Sequence, residues 1–177
     1  MLLTADARGV YPIAPTPFHD DGRIDTASID RLTDFYLGLG ATGITVLGQL
    51  GEAPKLGHAE SVAIAAQMIR RAPTLPVIVG VSAPGFAAMK ALTQEVMATG
   101  AAGVMIAPPN TLRTDDQIVG YYTQAVQAIG ADVPNQTTLL GGMVISASTI
   151  WVARRDARYH QRAAVAATDR LEPDGSP

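Results

Sequence analysis

Short apolar runs alternate with amphipathic stretches over most of this chain, and the alternation predicts a series of strand–helix units. Residues 10–14 are a first short strand candidate, closed by Pro15 and Pro17. Asp25 or Thr26 caps a helix in which Ile29, Leu32, Phe35, Tyr36 and Leu39 recur at helical spacing, and Gly40 stops it. Gly43-Ile44-Thr45-Val46-Leu47 is uninterrupted and β-branched, as a buried strand requires, and ends in a turn at residues 48–52. The unit then recurs. A helix over residues 57–71, with Glu60 placed to reach back to its first turn, precedes a strand at residues 76–80. A helix over residues 85–99 that buries Phe86, Met89, Leu92 and Val96 precedes a strand at residues 102–106, stopped by Pro108 and Pro109. Thr114 and Gln117 form a capping box that opens a helix ending at Gly130. Short connections between strands and helices of similar length are the signature of parallel βαβ units.

An open doubly wound sheet and a closed barrel share this pattern, and spacing alone does not choose between them. A dinucleotide-binding sheet carries a glycine-rich phosphate turn after its first strand, and Pro15-Thr16-Pro17-Phe18 is not one, which favours the barrel. After Pro134 the rhythm stops. Residues 137–148 are rich in Thr, Gly and Ser, and Arg154, Arg155, Arg158 and Arg162 then crowd into an alanine-rich run. Residues 1–134 therefore divide from a divergent tail at residues 135–177, where one strand and one helix fit without a clear apolar stripe.

Composition narrows the function classes. Nearly half of the 177 residues are apolar and 16% are charged, which fits a packed core rather than a disordered chain. A net charge of −3 gives no basic footprint for nucleic acid. The lack of cysteine removes disulfides, thiolate zinc sites and cysteine nucleophiles. The N-terminus has no signal-peptide pattern, and the apolar stretch at residues 139–152 is shorter than the ~20 residues of a spanning helix, so no membrane partner is expected. A cytoplasmic location is the default expectation.

In a (β/α)8 barrel, functional groups sit in the loops that leave the C-terminal ends of the strands. Here those are residues 15–21, 48–56, 81–85 and 107–114. Gly48-Gln49-Leu50-Gly51-Glu52 stands out, because two glycines around a turn let backbone N–H groups approach an anionic ligand. His19, His58 and His160 are far apart and lack metal-ligand spacing, so no metal or cofactor is expected. Asp115 and Asp116 are accounted for by the first turn of a capped helix, and Glu52 by a hydrogen bond to its own loop backbone.

At these residues the chain resembles the dihydrodipicolinate synthase and N-acetylneuraminate lyase family. Pro15-Thr16-Pro17-Phe18 with Gly22 and Ile24-Asp25 resembles the family's opening. The run from Gly43 through Gly48, Gly51-Glu52-Ala53 and on to Glu60 resembles its signature, and residues 76–81 and 101–109 its third and fourth strands. The resemblance covers residues 9–134 without a gap. It implies the front of a (β/α)8 barrel, cut to about four units, and lyase or aldolase chemistry on pyruvate or another 2-oxo acid. In that chemistry a sixth-strand lysine forms a Schiff base that acts as an electron sink, and a fifth-strand tyrosine relays protons. The loop formed by Gly48, Gln49, Leu50, Gly51 and Glu52 would bind the keto-acid carboxylate.

Three departures qualify the expectation. Gln49 and Leu50 stand where the family usually has hydroxyl residues, and Leu50 cannot relay a proton. Pro109-Asn110-Thr111 stands where synthases carry tyrosines. Nothing after Pro134 aligns, so the tyrosine and lysine have no counterpart, and the tail reads as a reading-frame shift or premature truncation. Lys55 and Lys90 are the only lysines. Lys90 is expected on a solvated helix face, and Lys55 lacks the burial that makes a lysine nucleophilic. The chain is therefore expected to contain no catalytic residue. A complete barrel needs about 250 residues, and a four-strand piece leaves two parallel edges unpaired, which invites edge-to-edge homo-oligomers. The alternative is a non-catalytic half-barrel that serves as an assembly or binding module.

Overall fold

The computed structural model describes residues 2–4 and 6–130, so the tail at residues 135–177 lies outside the described residues. Along them run α1 (Thr26–Gly38), β1 (Ile44–Val46), α2 (His58–Arg71), β2 (Val77–Gly80), α3 (Phe86–Ala98), β3 (Gly103–Met105) and α4 (Asp115–Ile129). A short 3-10 turn at Ala53–Lys55 follows β1. The strands pair in parallel in the order β1-β2-β3, with Ile44 opposite Val77 and Ile78 opposite Gly103. Residues 10–14 do not make a regular strand. Ile13 bridges Thr45 in parallel, Ala14 N–H donates to Thr45 O at 2.8 Å and Thr45 N–H to Pro12 O at 2.9 Å. Pro12 and Pro15 have no N–H to give, and the ladder stops there. The spatial order thus follows chain order from residue 13 to β3, without the reversal that defines a doubly wound sheet. These are successive (β/α) units of a barrel wall.

The helix ends lie where local chemistry puts them. Asp25 accepts from the Ser28 N–H at 2.9 Å and caps α1, and Gly40, at φ 70°, ends the following turn. Gly57 N–H donates to the Glu60 carboxylate at 2.8 Å at the start of α2. Thr114 Oγ1 accepts from Gln117 N–H at 3.3 Å, and Gln117 Oε1 accepts from Thr114 N–H at 3.2 Å, which closes the expected capping box.

The core lies between the strands and one face of each helix. Ile44, Val46, Val77, Val79 and Val81 meet Ile29, Ile64, Met68, Met89, Val96 and Ile129. Burying one such side chain stabilises the fold by about 1.5–3 kcal/mol. Buried Thr33 and Thr93 donate to the carbonyls of Ile29 and Met89 one turn back, each at 2.8 Å, so neither hydroxyl is stranded. The apolar stripe expected on α1 is wider than the face it buries. Phe35 and Leu39 are 57% and 67% exposed, because α1 turns Ile29 and Thr33 inward and packs its flank on α2. Phe86, expected in the core, is only partly buried and packs at its rim.

Candidate functional site

All three strands run the same way, so the loops after β1, β2 and β3 emerge at one end of the sheet. The loop after β1 begins with a break in the backbone. Leu47, buried at 4% exposure, adopts φ 56°, a left-handed conformation that costs a bulky residue about 1–3 kcal/mol. This is why β1 ends at Val46 rather than at Leu47. Gly80 at the end of β2 makes room for the bend, since a Cβ there would lie 2.0 Å from Leu47 O.

Two interlocked turns follow. Gly51 N–H donates to Gly48 O and Glu52 N–H to Gln49 O, both at 3.0 Å. A trans peptide is planar, with its C=O and N–H on opposite sides. The carbonyls of Gly48 and Gln49 are turned into the loop, so the amides of Gln49 and Leu50, in the same two planes, are turned out of it. Among the described residues neither amide has an acceptor. Two adjacent, similarly directed N–H groups form a concavity suited to a carboxylate. Gly48 and Gly51 have no positive φ. What Gly51 needs is space, since a Cβ would come 3.1 Å from Ala14 O and 3.3 Å from Gly48 O.

The side chains of the loop face solvent or pair with one another. Gln49 and Leu50 are exposed, Leu50 at 60%. Glu52, at φ 55°, does not bond its own loop through its carboxylate as expected. It forms an ion pair with Lys55, one 3-10 turn later. Lys55 is exposed and held there, and Lys90 is exposed on α3. Neither lysine lies among apolar side chains.

The neighbouring loops are tied down by polar contacts. Ala107 N–H donates to Ser82 Oγ at 2.7 Å, and Tyr121 and Tyr122 donate to Ala107 O and Ile106 O, each at 3.3 Å. Burial pushes the Tyr121 phenol above its ordinary value and keeps it a neutral donor. Beside them an open cleft of about 660 Å³ is lined by Phe86, Pro109, Leu112, Asp116 and Tyr121. It includes none of residues 48–52 and is separate from the loop amides. His58 and Glu95 pair at 2.8 Å across α2 and α3. Among the described residues no group of three or more acidic or histidine side chains could hold a metal ion.

The sequence profile of the dihydrodipicolinate synthetase family matches residues 6–135. The chain belongs to that family. Dihydrodipicolinate synthase from Rhodopseudomonas palustris, a solved structure, is 63% identical, with a TM-score of 0.72 over 76% of this chain and 44% of that one. An uncharacterised DapA-like lyase of Rhizobium meliloti is 34% identical over 128 residues, 69% of this chain and 41% of the relative. The 4-hydroxy-tetrahydrodipicolinate synthase of Acidiphilium cryptum is 32% identical over 119 residues, 65% of this chain and 40% of the relative. The chain therefore spans less than half the length of the relatives it matches, and its units are the first ones of the family's TIM barrel.

The expected binding residues, Gly48 to Glu52, are contiguous in sequence, so their grouping was never in question. Two features of the site, and one separate from it, were missed. They are the strained Leu47, the buried Thr16 hydroxyl against the loop, and the cleft beside α4. Each depends on contacts between distant segments.

Proposed function

We propose that this chain supplies the carboxylate-binding part of a lyase or aldolase site that acts on pyruvate or another 2-oxo acid. The observation that carries this reading is the pair of outward, unpartnered amides of Gln49 and Leu50 in the family's signature loop. In the family's chemistry a lysine amine condenses with the 2-oxo carbon and releases water, and the imine stores the electrons of a breaking C–C bond. Residues 48–52 contribute to the step before that one, by holding the carboxylate so that the carbonyl carbon is presented in a fixed direction. Lys55 is engaged by Glu52 in solvent and Lys90 lies on an exposed helix face, so this chain by itself forms no imine.

The second reading, a non-catalytic half-barrel module, draws on the same two exposed lysines. It shares the carboxylate site and differs in the chemistry. The sheet edges that have no partner among the described residues support self-association in either case. The absence of cysteine supports a reducing, cytoplasmic setting.

Borohydride reduction in the presence of pyruvate, followed by intact-mass and peptide mass spectrometry, tests the proposal. We expect reversible pyruvate binding, seen as shifts of the Gln49 and Leu50 amide resonances, and no lysine adduct. An adduct at Lys55 would overturn the assignment of that side chain. Unshifted loop amides at saturating pyruvate would overturn the carboxylate site itself.

A further inference from the structure

We propose that Thr16 is a positioning residue for the carboxylate loop, setting the direction of the free Leu50 amide without touching the ligand. The inference deepens the function proposed above and rests on that reading for its ligand. Thr16 sits between Pro15 and Pro17, in the segment that precedes α1, and is 8% exposed. Its Oγ1 donates to Gly51 O at 2.6 Å, across 35 residues of chain. Neither flanking proline has an N–H, so hydrogen bonding from this stretch falls to Thr16.

The consequence follows from peptide planarity. Gly51 C=O and Glu52 N–H belong to one plane, and both ends of that plane are held, the first by Thr16 Oγ1 and the second by Gln49 O at 3.0 Å. Gln49 C=O is in turn the far end of the plane that carries the Leu50 N–H. One hydroxyl therefore fixes a plane that fixes the next, and the last of them holds a ligand-facing amide. Contact supports the bond, because Gly51 rests against the Ala14 carbonyl, so the loop has a floor as well as a tether. Without the hydroxyl, the buried Gly51 carbonyl loses the partner seen here and the 51–52 peptide gains a reason to rotate toward water.

The test uses the full chain with pyruvate as the probe and compares Thr16→Val, Thr16→Ala and Thr16→Ser with the unaltered protein. Circular dichroism and thermal melting establish which variants fold. Valine keeps the shape and removes the donor, alanine removes both, and serine keeps the donor. We expect Thr16→Val and Thr16→Ala to weaken pyruvate binding about tenfold, the loss of one charge-assisted contact, and Thr16→Ser to restore it to within about twofold. Hydrogen exchange at the Glu52 amide, which reports the tether without any ligand, should quicken in the valine and alanine variants and not in the serine one. Folded valine or alanine variants with unchanged Glu52 exchange would overturn the role of Thr16. If the unaltered chain binds no pyruvate while the exchange pattern holds, the ligand assignment fails and the positioning role stands. A variant that does not fold leaves the decision to the other one and to the serine rescue.

Discussion

Gly80 has no room for a side chain. A Cβ built there would lie 2.0 Å from the Leu47 carbonyl oxygen and 2.7 Å from its carbon, both backbone atoms that cannot swing aside. Gly80→Ala must therefore displace the start of the loop after β1. We expect a loss of about 1–3 kcal/mol in urea unfolding, the usual penalty for overpacking, together with shifted Gln49 and Leu50 amide resonances. An alanine variant with unchanged stability and an unmoved loop would show that Leu47 does not occupy its left-handed conformation in solution. The residue also shows where sequence reading ends. The glycines at 48 and 51 could be read as a turn for an anion because the constraint is local. The reason for Gly80 lies in a neighbouring strand, and the strain at Leu47 cannot be read from a leucine. Glu52 was misread for a related cause. A carboxylate in a turn usually caps its own backbone, but a lysine three residues on, presented by a 3-10 turn, captured it instead.

Helix starts in this chain were legible because a cap is written in four adjacent residues. Thr114 with Gln117 sits as its spacing implies, and of Asp25 and Thr26 it is Asp25 that caps, accepting from the Ser28 N–H. Helix faces were less legible. Periodicity marks Phe35 and Leu39 as apolar but cannot say which part of a broad stripe turns inward, and the packing of α1 on α2 leaves both exposed. Polar bonds add to the apolar packing that joins α1 to α2. Arg71 Nε donates to Asp34 Oδ1 at 2.7 Å and its Nη2 to Oδ2 at 2.5 Å, and Gln67 bonds Asp30 at 2.8 Å. The hydrogen bonds from Arg71 hold the Asp34 carboxyl below its ordinary value, and those from Ser28 do the same for Asp25. A carboxyl whose folded value is depressed binds protons less readily than in the unfolded chain. Its contribution is complete above the ordinary value of about 3.9 and is lost as pH falls through the lower folded one. We therefore expect stability to be insensitive to these groups above about pH 5 and to decline below about pH 4. Asp34→Asn should be less stable at neutral pH and show a shallower acid decline, measured by urea unfolding at a series of pH values. The effect is small because both partners are half exposed. Equal slopes for the two proteins would show that the pair is open in solution.

At the scale of the molecule, the order of the strands decided between the two architectures that the pattern left open. Each new strand adds beside the last, from Ile13 to β1, β2 and β3, and nothing in the hydrophobic pattern could distinguish that from an order that reverses. The same order assigns the strands unequal protection. β2 is paired on both sides, to β1 through Ile78 opposite Thr45 and to β3 through Ile78 opposite Gly103. It is also lined by Val77 and Val79, both in the core. β3 has a partner on one side only among the described residues, and Val104 and Met105 are partly exposed. In native-state hydrogen exchange of the full chain, the amides of residues 78–80 should therefore open only with the whole fold. The amides of β3 that face away from β2 should exchange through local fraying, at rates that do not follow global stability when urea is added. Slow exchange on that side of β3, equal to β2, would mean the edge is paired. Repeating the measurement at lower protein concentration would then identify the partner: protection that falls on dilution belongs to a second copy of the chain, and protection that persists belongs to the same one.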